Sequence, residues 1–153
     1  MGSGSASQSR SRLYQRTVEG SPAQAYDFAA MARAPLISIV DDDDSLRISL
    51  ASLIRSAGFT ALSFTSAEAF LGSPQARESD CLLLDVRMPG MNGLELQRHL
   101  VATDWRLPII FITSHAGDNA RAAALAAGAA GFLYKPFRDD ELLNALEAAL
   151  RTP

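Results

Sequence analysis

From residue 36 onward, short apolar runs alternate with stretches in which apolar residues recur every three or four positions. The uninterrupted apolar run at 81–84 is typical of a strand covered on both faces, whereas the spacing of Leu46, Leu50 and Ile54 predicts an amphipathic helix. The pattern predicts strands at 36–40, 59–64, 81–84, 108–113 and 130–134. A predicted helix follows each strand, and this alternation favours an α/β fold with a parallel, doubly wound sheet.

Residues that are typical of helix ends lie where the predicted helices begin and end. Gly58 follows the first predicted helix, as glycine commonly does at a helix C-terminus. We expect Asp43 and Asp44 to serve that helix as its N-cap and first-turn charge. The sequence Thr65-x-x-Glu68 has the spacing of a capping box and predicts a short second helix.

The first 34 residues have a different character from the rest of the chain. They begin with a run of glycine and serine that is typical of a flexible linker. The Ser-Pro-x-Gln sequence at 21–24 combines an N-cap, a first-turn proline and a capping glutamine, which predicts a short helix over 22–33. A natural start at Met31 is the second interpretation. Both interpretations give an N-terminal tail or tag over 1–34 and one domain over 35–153.

Length, composition and charge exclude several classes of protein and of binding site. A chain of 153 residues suits one domain, and a hydrophobic fraction of 48% argues against a disordered chain. No apolar run approaches the length of a membrane span. One cysteine and two histidines exclude an internal disulfide and the usual zinc sites. The net charge is −3, with the acidic excess after residue 34, so we expect no nucleic-acid surface on this domain. The single cysteine and the lack of a secretory signal pattern at the start of the sequence favour a cytoplasmic location.

The candidate chemistry lies where the predicted strands end. Four aspartates, 41–44, follow the first strand, Asp85 follows the third, Thr113 ends the fourth, and Lys135 follows the fifth. Because parallel strands end at one edge of a sheet, these groups should converge there. Clustered carboxylates need a cation, and oxygen ligands suit Mg²⁺ or Mn²⁺. Lys135 is the single lysine among 14 basic residues, and its compact ammonium suits a phosphoryl oxygen. The pattern predicts phosphoryl transfer onto an aspartate.

Four motifs contain these residues: Ile39-Val40-Asp41-Asp42, Leu84-Asp85-Val86-Arg87-Met88-Pro89-Gly90-Met91-Asn92-Gly93, Ile112-Thr113-Ser114-His115 and Lys135-Pro136-Phe137. In their order and spacing the chain resembles, over roughly residues 36–150, the receiver domain of two-component response regulators, in particular the FixJ type. The resemblance implies a flavodoxin-like (CheY-like) sheet with strand order 2-1-3-4-5, an order for which a receiver is itself a standard example.

The resemblance also implies roles for individual residues. Asp85 would accept phosphate from a sensor histidine kinase. Asp42, Asp85 and the backbone carbonyl of Arg87 would ligate Mg²⁺ (or Mn²⁺), with Asp41 acting mostly through metal-bound water. The two groups that would contact the phosphoryl oxygens are Thr113 and Lys135. The aromatic switch residue coupled to Thr113 would be Phe132.

Signalling follows from the same resemblance. As a phosphoprotein in a phosphorelay, the domain would be a switch that autodephosphorylates, and not an enzyme that turns over an external substrate. Its regulated surface would be the face of helix 4, strand 5 and helix 5, about residues 118–150, which relatives use to form a homodimer or to hold an effector domain. The family also implies transcription regulation through a C-terminal DNA-binding domain, which would lie beyond Pro153.

Two alternative functions compete with the switch. Asp41-x-Asp43-x-Ser45 mimics the nucleophile motif of haloacid-dehalogenase-like phosphohydrolases, but that interpretation leaves Asp85 unexplained. A pseudo-receiver that binds proteins without being phosphorylated is the other alternative, and the intact acidic and lysine positions argue against it. Steady turnover of a phosphomonoester would favour the hydrolase.

Overall fold

A computed structural model of the protein describes residues 33–114 and 117–151. The tail and helix predicted within 1–34 lie outside the described residues, apart from positions 33 and 34. The described part contains a five-stranded parallel sheet in the order β2-β1-β3-β4-β5, which confirms the predicted fold and strand order. The strands are β1 (Leu36–Val40), β2 (Thr60–Phe64), β3 (Cys81–Asp85), β4 (Ile109–Thr113) and β5 (Gly131–Tyr134).

A helix follows each strand, as the periodicity predicts. The helices are α1 (Asp44–Ser56), α2 (Ala67–Leu71), α3 (Gly93–Ala102), α4 (Asp118–Ala126) and α5 (Asp139–Arg151). One short 3₁₀ helix, Pro74–Glu78, was not predicted and joins α2 to β3. Among the described residues, no helix combines the length and apolar character that crossing a membrane requires.

The central strands β1, β3 and β4 are buried on both faces, which explains why they are mostly apolar. Side chains of β3 alternate between two cores, with Leu82 and Leu84 in one and Cys81 and Leu83 in the other. The first core also contains buried residues of α2 and α3, and the second contains those of α1 and α5. All five residues of β3 are buried, so packing on both faces of the strand fixes the position of Asp85 at its end.

The helix starts agree with the predictions at α1 but not at α2. Asp43 is the N-cap of α1, and its side chain accepts a hydrogen bond from the Leu46 N–H at 3.2 Å. The predicted capping box at Thr65 is wrong, because the N-cap of α2 is Ser66, which accepts from the Ala69 N–H at 3.0 Å. The helix therefore begins one residue later than expected, and the carboxylate of Glu68 is left for another partner.

Candidate functional site

Three carboxylates meet at the carboxyl edge of the sheet. Strands β1 and β3 are neighbours with Val40 opposite Leu84, so the residues that follow them come together. Carboxylate oxygens of Asp41, Asp42 and Asp85 lie within 4.8 Å of one another. Asp41 and Asp85 are buried, whereas Asp42 is exposed. The structure thus brings together the three acidic residues that the sequence singled out.

Lys135 joins this cluster from β5. Its Nζ lies 3.1 Å from Asp41 Oδ2 and 3.5 Å from Asp85 Oδ2. The backbone N–H of Lys135 donates to the Thr113 carbonyl at 2.8 Å, and the peptide bond to Pro136 is cis. The lysine is therefore held at its backbone by β4 while its ammonium spans two carboxylates.

The ionised form of Asp85 is poorly stabilised in this setting. The pKa of Asp85 is raised to about 6, and the causes that raise it are burial, which is the largest, and the charge of Asp41. The ammonium of Lys135 and a hydrogen bond from the Arg87 N–H at 3.2 Å oppose that rise without cancelling it. A carboxylate in this position is stabilised by any additional positive charge.

The donor set fits a hard divalent cation. Oxygen atoms of three carboxylates form the cluster, and Mg²⁺ or Mn²⁺ prefers such ligands. Both oxygens of Asp41 already have donors, since Oδ1 accepts from the Asp43 N–H at 2.8 Å and Oδ2 faces Lys135. The carboxylate of Asp42 is exposed to solvent, so it is accessible to a cation that arrives from water.

Gly93 allows α3 to begin directly against the end of β3. A Cβ at this position would lie 2.2 Å from the Asp85 carbonyl oxygen, far inside van der Waals contact. The Gly93 N–H donates to the Val86 carbonyl at 2.9 Å, and Asn92 and Glu95 form a capping box at the helix start. Only glycine fits this junction without displacing the backbone of Asp85.

We predict that Gly93→Ala lowers the free energy of unfolding by about 1–3 kcal/mol, because an added methyl group would force the backbone apart. Urea unfolding followed by circular dichroism measures this change. Gly131→Ala is the matched control, since its Cβ would meet Ile110 at an ordinary 3.6 Å. Equal stabilities of the two variants would contradict the close contact at Gly93.

The two predicted switch residues lie on the neighbouring strands β4 and β5. Thr113 ends β4, is 1% exposed, and pairs in register with Tyr134. Phe132 is partly buried, and its ring centroid lies 5.8 Å from that of Phe111 and 5.3 Å from that of Tyr134. Thr113 is thus placed at the site, and Phe132 belongs to an aromatic row that continues to the exposed Tyr134.

Two residues that form hydrogen bonds to the loops of the site were not predicted from the sequence. Arg47 in α1 donates from its guanidinium to the Asp41 carbonyl at 2.7 Å and forms an ion pair with Asp44. Arg47 and Asp44 are three residues apart, a spacing that is typical of ion pairs on a helix. This spacing does not predict the hydrogen bond from Arg47 to the Asp41 carbonyl. Glu68 in α2 accepts a hydrogen bond from the Met91 N–H at 2.9 Å. Its spacing from Thr65 predicted a capping box instead, so the sequence pattern did not indicate this contact.

Comparisons with known proteins agree with this geometry. The family model described as the response regulator receiver domain matches residues 37–147. The response regulator protein TodT of Pseudomonas putida is 45% identical over 119 residues, which cover 78% of this chain and 52% of TodT. The transcriptional regulatory protein FixJ of Azorhizobium caulinodans is 40% identical over 114 residues, covering 74% of this chain and 54% of FixJ. The chain therefore spans about half the length of these curated relatives.

Solved structures show the same similarity. The crystal structure of FixJ-N superposes with a TM-score of 0.72 at 38% identity, covering 79% of this chain and 97% of that one. The structure of the response regulator StyR gives a TM-score of 0.71 at 45% identity, covering 77% of this chain and 60% of StyR.

Proposed function

Because the chain belongs to the response regulator receiver domain family, we propose that Asp85 is its phosphoacceptor and receives a phosphoryl group from the phosphohistidine of a sensor kinase. The observation that carries this proposal is the placement of Asp85, which is buried beside Asp41 and has the Lys135 ammonium 3.5 Å from its Oδ2. Receiver domains are signalling domains rather than substrate-turnover enzymes, which is consistent with a single acceptor.

The transfer follows from the positions of these side chains. A carboxylate oxygen of Asp85 attacks the phosphorus, an O–P bond forms, and the N–P bond breaks as the imidazole leaves with its electron pair. The Lys135 ammonium then pairs with a phosphoryl oxygen in place of the Asp85 carboxylate. The hydroxyl of Thr113 donates to a second phosphoryl oxygen, and later attack by water at phosphorus would restore Asp85.

A divalent cation would be held by Asp42, Asp85 and the backbone carbonyl of Arg87. Asp41 would contribute mostly through metal-bound water, because its two oxygens accept shorter hydrogen bonds, 2.8 and 3.1 Å, than those of Asp85, 3.2 and 3.5 Å. When bound, Mg²⁺ (or Mn²⁺) neutralises charge on the transferring phosphoryl group. Asp42 supplies the exposed ligand of this set, and Asp85 supplies the buried one.

The stoichiometry of labelling separates the proposal from the hydrolase alternative. Treatment with acetyl phosphate and Mg²⁺ should add one phosphoryl group per chain in intact-mass spectrometry, and p-nitrophenyl phosphate should not be turned over steadily. The hydrolase mechanism would need Asp41 as its nucleophile, but Asp41 is less accessible than Asp85, since it has no exposed surface and accepts the shorter bond from Lys135, 3.1 Å against 3.5 Å. Absence of label would contradict the receiver switch, and absence of both label and turnover would contradict the hydrolase as well and would favour a pseudo-receiver.

The regulated partner surface of this proposal is the face formed by α4, β5 and α5. Tyr134 on β5 is 42% exposed and Leu125 on α4 is 39% exposed, so this face has apolar side chains available for contact. A homodimer partner or an effector domain that regulates transcription would bind there. The sensor kinase would present its phosphohistidine to this domain in the cytoplasm.

We predict that Thr113→Ala remains phosphorylated but loses the conformational response, because the buried Thr113 hydroxyl supplies the contact that distinguishes the two states. Amide NMR with and without beryllofluoride, a phosphoryl mimic, measures the response across residues 118–151. Thr113→Ser retains the hydroxyl and should keep the wild-type shifts. Identical shifts in Thr113→Ala and the wild type would show that another group carries the coupling.

A further inference from the structure

Helix α2 reaches across to the loop that joins β3 to α3, residues 86–92. The Glu68 carboxylate accepts a hydrogen bond from the Met91 N–H at 2.9 Å, although the two residues are 23 positions apart. This bond also lowers the pKa of Glu68, so the acceptor is an anion at neutral pH. A bond from a backbone N–H to a charged acceptor is stronger than one to a neutral acceptor.

The loop is shaped to fit this carboxylate. Gly90 has a left-handed φ of +74°, which glycine adopts without steric cost. A Cβ on Gly90 would lie 2.8 Å from Glu68 Oε2. The carboxylate therefore packs directly over the backbone of Gly90 as well as bonding to Met91.

The same loop is fixed at its two ends by bonds of its own. The Arg87 N–H donates to Asp85 Oδ1 at 3.2 Å at one end. The Gly93 N–H donates to the Val86 carbonyl at 2.9 Å at the other end. Glu68 adds a bond from a separate helix at Met91, near the C-terminal end of the loop and two residues before the start of α3.

From these contacts we propose that Glu68 is a positioning residue that holds the loop 86–92 in the shape that presents the Arg87 carbonyl to the divalent cation. This inference rests on the proposed function of the Asp85 site. Glu68 is not one of the proposed cation ligands, and it acts through its contacts with the backbone of Gly90 and Met91. Residues that orient a metal ligand from outside its coordination sphere affect affinity, since a mobile ligand must be ordered on binding.

Removing the bond should weaken cation binding without unfolding the protein. In a Mg²⁺ titration without a phosphodonor, followed by amide NMR, Glu68→Ala should raise the half-saturating Mg²⁺ concentration by about tenfold, at the low end of what such outer contacts contribute. Glu68→Gln keeps an oxygen acceptor but loses the charge, so it should raise this concentration by less than Glu68→Ala, by about twofold to threefold. Glu147→Ala, which removes an exposed glutamate from α5, is the matched control and should leave the titration unchanged.

Hydrogen exchange of the Met91 amide supplies a second readout that does not involve the cation. In the presence of a chelator, this amide should exchange faster in Glu68→Ala than in the wild type, by about fivefold or more, and Glu68→Gln should restore its protection. A thermal melt checks that the variants are folded.

Three results would overturn the inference. Unchanged Mg²⁺ affinity in Glu68→Ala would show that the hydrogen bond from α2 to the loop does not contribute to cation binding. Equal weakening in Glu68→Gln and Glu68→Ala would show that charge matters rather than the bond to Met91. Unchanged Met91 exchange would show that the bond does not order the loop. Failure of the proposed function looks different, because the wild type itself would then show no Mg²⁺ response and no phosphoryl label.

Discussion

Replacing Asp85 with asparagine should reduce phosphoryl incorporation from acetyl phosphate to the level seen without the phosphodonor. The amide has nearly the shape of the carboxylate but is not a nucleophile of comparable strength, so the acyl phosphate cannot form. Asp43→Asn is the matched control, because asparagine retains the N-cap of α1 and Asp43 is not among the proposed ligands. Intact-mass spectrometry measures both variants, and labelling of Asp85→Asn at the wild-type level would contradict the assignment of the acceptor.

The same substitution has a predicted effect on stability. Burial and the charge of Asp41 raise the pKa of Asp85 to about 6 in the folded protein, above the ordinary value of 3.8. A carboxyl group with a raised pKa binds its proton more tightly when folded, so its stabilising contribution is lost as the pH rises from about 4 to about 6. In the presence of a chelator, thermal melts should therefore show the wild type losing stability over this range relative to Asp85→Asn. Parallel pH profiles would contradict the electrostatic account of the cluster.

Lys135→Arg should slow the labelling of Asp85 nearly as much as removal of the charge does. Removing one preorganised donor from a reacting oxygen typically costs about 10²–10³ in rate, and we expect Lys135→Ala to fall in that range. Arginine does not restore the site, because the Lys135 Nζ is a compact charge 3.1 Å from Asp41 and 3.5 Å from Asp85. A planar guanidinium on a longer side chain cannot take that position between two buried carboxylates without displacing them.

The control for Lys135→Arg is an arginine-to-lysine substitution at an exposed position. Arg138 is exposed and pairs with Asp140 at 3.0 Å, so Arg138→Lys should leave the labelling rate unchanged. Initial rates at saturating Mg²⁺ compare the variants directly. A Lys135→Arg rate equal to that of the wild type would show that any positive charge suffices at this position.

The sequence predicted the sheet and the meeting of its acidic residues because both follow from strong, local patterns. The run at 81–84 is apolar throughout, as a doubly covered strand requires, and Asp85 comes directly after it. Once the strands are parallel, the residues after them share an edge. The order that makes β1 and β3 neighbours came from the family resemblance, and the structure confirms it.

The contacts that shape the loops could not be predicted in the same way. The bond from Glu68 to Met91 joins residues far apart in the chain, and no periodic pattern records such a pairing. The spacing of Thr65 and Glu68 favoured a local capping box, but α2 begins after Ser66 and Glu68 bonds elsewhere. The need for glycine at Gly93 depends on how closely α3 approaches the Asp85 carbonyl, which only the packed structure gives.

The site of phosphorylation is tested most directly by reductive trapping of the labelled wild-type protein. Borohydride converts an aspartyl phosphate to homoserine, and tryptic peptides then separate the candidate acceptors. Cleavage after Arg77 and Arg87 releases residues 78–87, which contain Asp80 and Asp85, whereas residues 34–47 contain the four aspartates 41–44. We expect homoserine at position 85 after treatment with acetyl phosphate and Mg²⁺. Homoserine at position 41 or 80, with position 85 unmodified, would contradict it.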